Sequence, residues 1–83
     1  METPAKYSQD EIKEILAQLD DEEKYGIVLR SKGMVPDAEG RWVHFDYVPE
    51  ETEVRYGAAD VTGKICVIGA QLKEDALAEL FRK

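Results

Sequence analysis

One cysteine among 83 residues, Cys66, leaves this chain without an internal disulfide, so nothing staples the domain and nothing implies an oxidising compartment. Long apolar runs are also missing. No stretch approaches the roughly 18 residues of a membrane span, and the first seven residues hold no apolar segment that would serve as a signal peptide. The chain therefore reads as cytoplasmic, with no membrane partner. Bases are scarce: 11 Lys and Arg stand against 18 Asp and Glu, a net charge of -7 that opposes nucleic acid and anionic membrane. There is no Gly-x-x-x-x-Gly-Lys-Ser/Thr, whose backbone amides and lysine would cradle phosphates, and no Cys-x-Cys-Cys. Internal repeats are absent as well, which removes solenoids.

What is present suits one small module. Apolar residues make up 43% and charged residues 35%, enough Ile, Leu, Val and aromatics to escape the disordered class. A domain near this size buries only about 60% of its unfolded surface, so the core is real but small. Acidity is concentrated at the front, where residues 1–25 hold eight acids against Lys6, Lys13 and Lys24.

Residues 1–7 read as a disordered or frayed lead-in, and residues 8–83 as the domain. Ser8-Gln9-Asp10-Glu11 fits a capping box, and Ile12, Ile15, Leu16 and Leu19 form the stripe of an amphipathic helix. The acidic run Asp20 to Glu23 opposes the helix dipole, so the helix stops near Leu19 or Asp20, or restarts after a break, and the run reads as a solvated corner. Four strands are predicted next. Tyr25 to Val35 alternates Ile27, Leu29 and Ser31 with Val28, Arg30 and Lys32. After the turn cluster Asp37 to Gly40, Arg41 to Val48 sets Val43, Phe45 and Tyr47 opposite Trp42, His44 and Asp46. Thr52 to Tyr56, where Val54 and Tyr56 alternate with Glu53 and Arg55, reads as an outer or short strand. Lys64 to Ile68, apolar from Ile65 on, reads as a central strand covered on both faces. Gly33, Gly40, Gly57, Gly63 and Gly69 read as turn residues at element ends. A last helix from about Lys73 to Arg82 has Leu77, Leu80 and Phe81 as its stripe, with Arg82 and Lys83 suiting the dipole of its final turn. The order is α-β-β-β-β-α: an α+β two-layer sandwich with a four-stranded antiparallel sheet and terminal helices.

Three stretches in this order carry a resemblance: Val28-Leu29-Arg30-Ser31-Lys32-Gly33-Met34-Val35, Gly40 to Pro49, and Gly63-Lys64-Ile65-Cys66-Val67-Ile68-Gly69 leading to Ala76 to Phe81. Together they resemble the C-terminal domain of the CobW family of GTP-dependent metallochaperones, over about Gly26 to Phe81. The resemblance implies a non-enzymatic domain that contacts a partner or client protein in metal or cobalamin-related trafficking. It places GTP hydrolysis, and any zinc or cobalt, in parts of the family that this chain does not contain, so no cofactor is expected here. The expected partner is a P-loop GTPase domain or a client metalloprotein. A stand-alone adaptor without a GTPase, or a weak direct metal-binding protein, are the alternatives. The chain departs from the family pattern after Lys32-Gly33, where Met34-Val35-Pro36 replaces aromatic residues, and Lys73 stands near the position of a helix-capping Asp.

Candidate site residues follow from the strands. Arg30 and Lys32, two apart on one strand, put two cations on one face, either as a contact for a partner's carboxylate or phosphate or as a solvated outer face. Trp42 is either an exposed anchor for a partner or a side chain packed at the sheet edge. His44 and Asp46 share a face and are weak metal candidates, because two ligands fall short of the roughly four that a closed zinc site takes. Cys66, flanked by Ile65 and Val67, reads as a buried core thiol, neither nucleophile nor ligand.

Overall fold

In the computed structural model, which describes residues 2, 3 and 5–81, a single antiparallel sheet carries all its helices on one side. The elements are β1 (Glu2–Thr3), α1 (Gln9–Gln18), α2 (Glu22–Tyr25), β2 (Ile27–Pro36), β3 (Trp42–Val48), β4 (Glu51–Gly57), β5 (Gly63–Ala70) and α3 (Glu74–Phe81). In space the strands run β1-β5-β2-β3-β4. The fold class is the α+β sandwich expected from the sequence, with five strands in place of four. No helix among the described residues is long and apolar enough to cross a membrane.

The extra strand comes from the segment expected to fray. Glu2 and Thr3 pair with Lys64 and Gly63, and Tyr7 is 1% exposed, its amide donating to Pro36 O at 2.9 Å and its hydroxyl to Phe81 O. A two-residue strand is too short to show an alternation, which is why the pattern did not announce it.

The capping box at α1 forms as read: Ser8 Oγ accepts from Glu11 N at 3.1 Å and Glu11 Oε1 accepts from Ser8 N at 3.0 Å. Ile12, Leu16 and Leu19 are buried, and Ile15 packs beside them. The acidic run is more than a solvated corner. Asp21 caps α2 by accepting from Lys24 N at 3.2 Å, and Asp20 Oδ1 accepts from the buried Tyr47 hydroxyl at 2.5 Å. The helix therefore restarts, and α2 ends at Gly26, whose φ of 86° suits glycine. The closing helix spans Glu74–Phe81, and the expectation for Arg82 and Lys83 lies outside the described residues.

Two features of the sheet depart from the alternation. A register shift between Val28 and Arg30 leaves Leu29 without a partner on β5, a β-bulge that re-phases β2. Val28 is consequently buried while Ile27 and Leu29 are exposed, the reverse of the predicted faces; beyond the bulge Ser31 and Val35 point to the core. Ser31 is 0% exposed and its hydroxyl has no hydrogen-bond partner among the described residues. The second departure is β5, which is covered on one face only: Ile65 is buried, whereas Cys66 and Ile68 are exposed. Cys66 is thus a surface thiol, because no helix lies over its side of the sheet.

Of the five glycines read as turn residues, only Gly40 has a positive φ. Gly33 lies inside β2, where the space a side chain would occupy is taken by Phe45 and by the Lys64 carbonyl. The hairpin between β2 and β3 is held by the buried Asp37, which accepts from Glu39 N, Arg41 N and Arg41 Nε, each at 2.9 Å. Burial pushes the Asp37 carboxyl up, but these donors together outweigh it and hold the group below the usual carboxylate range.

Tyr47 offers a pH test of the contact between the sheet and the turn joining α1 to α2. Burial, then the hydrogen bond and negative charge of Asp20, push its phenol from 10.0 up to about 12. A group held protonated by the fold contributes its stability in full below the unfolded value of 10.0 and loses it as pH rises towards about 12. Tyr47→Phe is expected to cost about 1.5–3 kcal/mol at neutral pH, as for hydrogen bonds to charged groups. In urea titrations the gap between the two proteins should close across that alkaline window. A gap that stays constant with pH would refute the assignment.

Candidate interaction surface

Because the helices all lie on one side, alternate residues of every long strand form a bare face. From β2 come Arg30, Lys32 and Met34; from β3, Trp42, His44 and Asp46; from β4, Glu53 and Arg55; from β5, Lys64, Cys66 and Ile68. The ladder register sets Lys32 between Asp46 and Cys66, and Met34 between His44 and Lys64. At the centre is a shallow concavity of about 520 Å³ whose lining includes Lys32, Met34, His44, Arg55, Lys64 and Cys66.

Every site residue expected from the sequence lies on this face, though not in one cluster. Arg30 is committed to Asp46, donating from Nη2 at 3.0 Å and Nε at 3.2 Å to Oδ1. Lys32, opposite the same carboxylate, has no ion pair among the described residues and is the freer cation. Trp42 is half-buried at the far end of β3, four residues from Asp46, which is about 13 Å at the usual rise per residue. A single partner group does not span both ends.

The metal candidates are occupied otherwise. His44 Nε2 lies 2.7 Å from Ala58 O, a geometry that makes Nε2 the protonated nitrogen, and the ring packs flush on Gly57, where a Cβ would fall 2.7 Å from Cδ2. His44 therefore ties β3 to the loop after β4. Asp46 is held by Arg30, and the described residues contain no group of three His, Cys, Asp or Glu able to hold a metal ion. The donors present do not fit a zinc or cobalt site.

Sequence reasoning missed part of the surface. Leu29 and Ile68, 55% and 52% exposed, flank Arg30, with Val48 partly exposed on the other side. Leu29 was hidden by the bulge, and Ile68 by the assumption of a doubly covered strand. Arg55 and Lys64 add two cations, paired with Glu53 at 3.1 Å and Asp60 at 3.3 Å. The amide of Val61 and the ammonium of Lys64 together hold Asp60 below the ordinary carboxylate range. The face is therefore mixed in charge: Arg30, Arg55 and Lys64 are each matched by a neighbouring carboxylate, and Lys32 is the cation left without an ion pair among the described residues.

A small α+β sandwich roofed on one side, with mixed apolar and charged residues on the other, defines the class: a domain built around an open sheet. More specifically, the chain belongs to the family of the cobalamin synthesis protein CobW C-terminal domain, whose family model matches residues 1–83. The match takes in the first strand and helix, beyond the Gly26 to Phe81 span over which the motifs resemble that family. No curated protein and no solved structure matches the chain.

Proposed function

We propose that this domain binds a partner or client protein through the bare sheet face, serving a CobW-type GTPase in metal or cobalamin-related trafficking. The observation that carries the reading is the exposed Leu29 and Ile68 beside Arg30 and Lys32, on a face that no element of the described chain covers. Apolar side chains supply the area of a contact, and Lys32, the cation without an ion pair among the described residues, favours an acidic group opposite it. Nucleotide hydrolysis, and any zinc or cobalt, belong in this reading to the partner.

The test is calorimetric titration of the chain into a purified CobW-type GTPase domain, with GTP and with GDP. Lys32→Glu combined with Ile68→Asp is expected to weaken binding at least about tenfold, which is about 1.4 kcal/mol. Val61→Asp, at a position 94% exposed in the loop before β5, serves as control and should leave affinity unchanged. Absence of binding, or equal losses in both variants, would remove this face from the function.

A further inference from the structure

The outer strand β4 has the makings of a self-complementary edge. It pairs with β3 in continuous register from Trp42–Gly57 to Val48–Glu51, without a shift, and its other side meets no strand among the described residues. Sheet edges are commonly blocked by proline, by a bulge, or by a charge turned towards the covered side. β4 has none of these: Glu51, Glu53 and Arg55 lie on the bare face, and Thr52, Val54 and Tyr56 on the helix side.

We propose that two copies of this chain associate through β4, antiparallel about a twofold axis at Val54. Residues directly opposite each other in an antiparallel ladder share a face, so the axis must pass through a residue and not between two. Centred on Val54, the pairing sets Glu53 of each copy against Arg55 of the other, Thr52 against Tyr56, and Val54 against itself. Centred on Glu53 it would oppose two glutamates, and centred on Arg55 two arginines. The charge pattern therefore selects one register. Glu53 also has reason to accept it: its neighbour on β3 is Asp46, a like charge directly across the ladder, and its own ion pair is with Arg55 two residues along.

The product is a ten-stranded sheet in which the two bare faces run on from one another, doubling the surface available to a partner. A contact confined to one pair of strands falls below the roughly 1,200 Å² of a standard interface, so the association is weak and concentration-dependent. It does not depend on the proposed partner binding.

Sedimentation velocity on the whole chain, from micromolar to about 1 mM, tests this by reading how the mass climbs from 9.4 kDa towards twice that value. Glu53→Arg and Arg55→Glu should each weaken association about tenfold by facing like charges. An equimolar mixture of the two variants should recover it, since both facing pairs are again opposite in sign. Circular dichroism melting confirms that each variant is folded. A chain that stays monomeric throughout, association indifferent to either variant, or a mixture no tighter than its components would overturn the proposal.

Discussion

Gly33→Ala is expected to destabilise the protein by about 3 kcal/mol, at the upper end of what overpacking usually costs. The added methyl would run into the Lys64 carbonyl oxygen of the neighbouring strand and lie 2.8 Å from Phe45 Cζ. Neither obstacle can yield cheaply. The carbonyl belongs to the β2–β5 ladder, and Phe45 is 1% exposed and stacked on Phe81 in the close-packed core. Against a total stability of ~5–15 kcal/mol, that loss would populate the unfolded chain visibly. Gly40→Ala is the informative comparison: its φ of 86° carries a backbone cost of about 1–2 kcal/mol, but nothing lies within 4 Å of the added carbon. Urea denaturation should show the non-glycine-like strand position to be the more sensitive. Equal losses would mean that conformation, not space, governs both sites.

Phe81→Ala should cost about 3–5 kcal/mol, the usual range for deleting a buried aromatic ring. Phe81 is buried at the end of α3, its ring stacked with that of Phe45 at 6.5 Å between centroids and 17° between planes. Its carbonyl accepts from Tyr7, so one residue links the lead-in segment, the closing helix and the sheet. Thermal unfolding of Phe81→Ala, Phe45→Ala and the double variant would measure the coupling. We expect the double variant to lose less than the sum, because the second deletion enlarges a cavity that already exists. Strict additivity would show that the two rings act separately.

How much of this was legible in the sequence differs by element. The start of α1 could be read directly, because Ser8 and Glu11 form a local reciprocal pair that needs nothing from the rest of the chain. The face of β3 was equally clear, since Val43, Phe45 and Tyr47 alternate without interruption. For β4 the pattern leaves an outer or a short strand open, and the structure makes it outer and as long as β3. Failures occurred where a neighbour decides the outcome. Gly33 looks like a turn residue until Phe45 is placed against it, and Asp20 looks like solvent-facing acid until the Tyr47 hydroxyl is brought to it. Cys66 and Ile68 sit in an unbroken apolar run, a pattern that in most sheets means cover on both sides; here all helices pack on the other side. Spacing groups Arg30 with Lys32, and Trp42 with His44 and Asp46, each along its own strand; that the two groups share one surface follows only from the β2–β3 register, and which of them are already engaged depends on distances that no spacing rule supplies.

The unpaired residue in β2 bears on how such a surface can diversify. Every other position of that strand is bound into a two-step repeat, in which a change outside is registered by the neighbours that face inside. Leu29 stands out of step, with no cross-strand companion on β5. The chemistry at that end of the sheet can therefore be rewritten, from oily to polar or from neutral to acidic, without a matching change in the interior, giving descendants of this sequence one site at which to alter the exterior while keeping the same architecture.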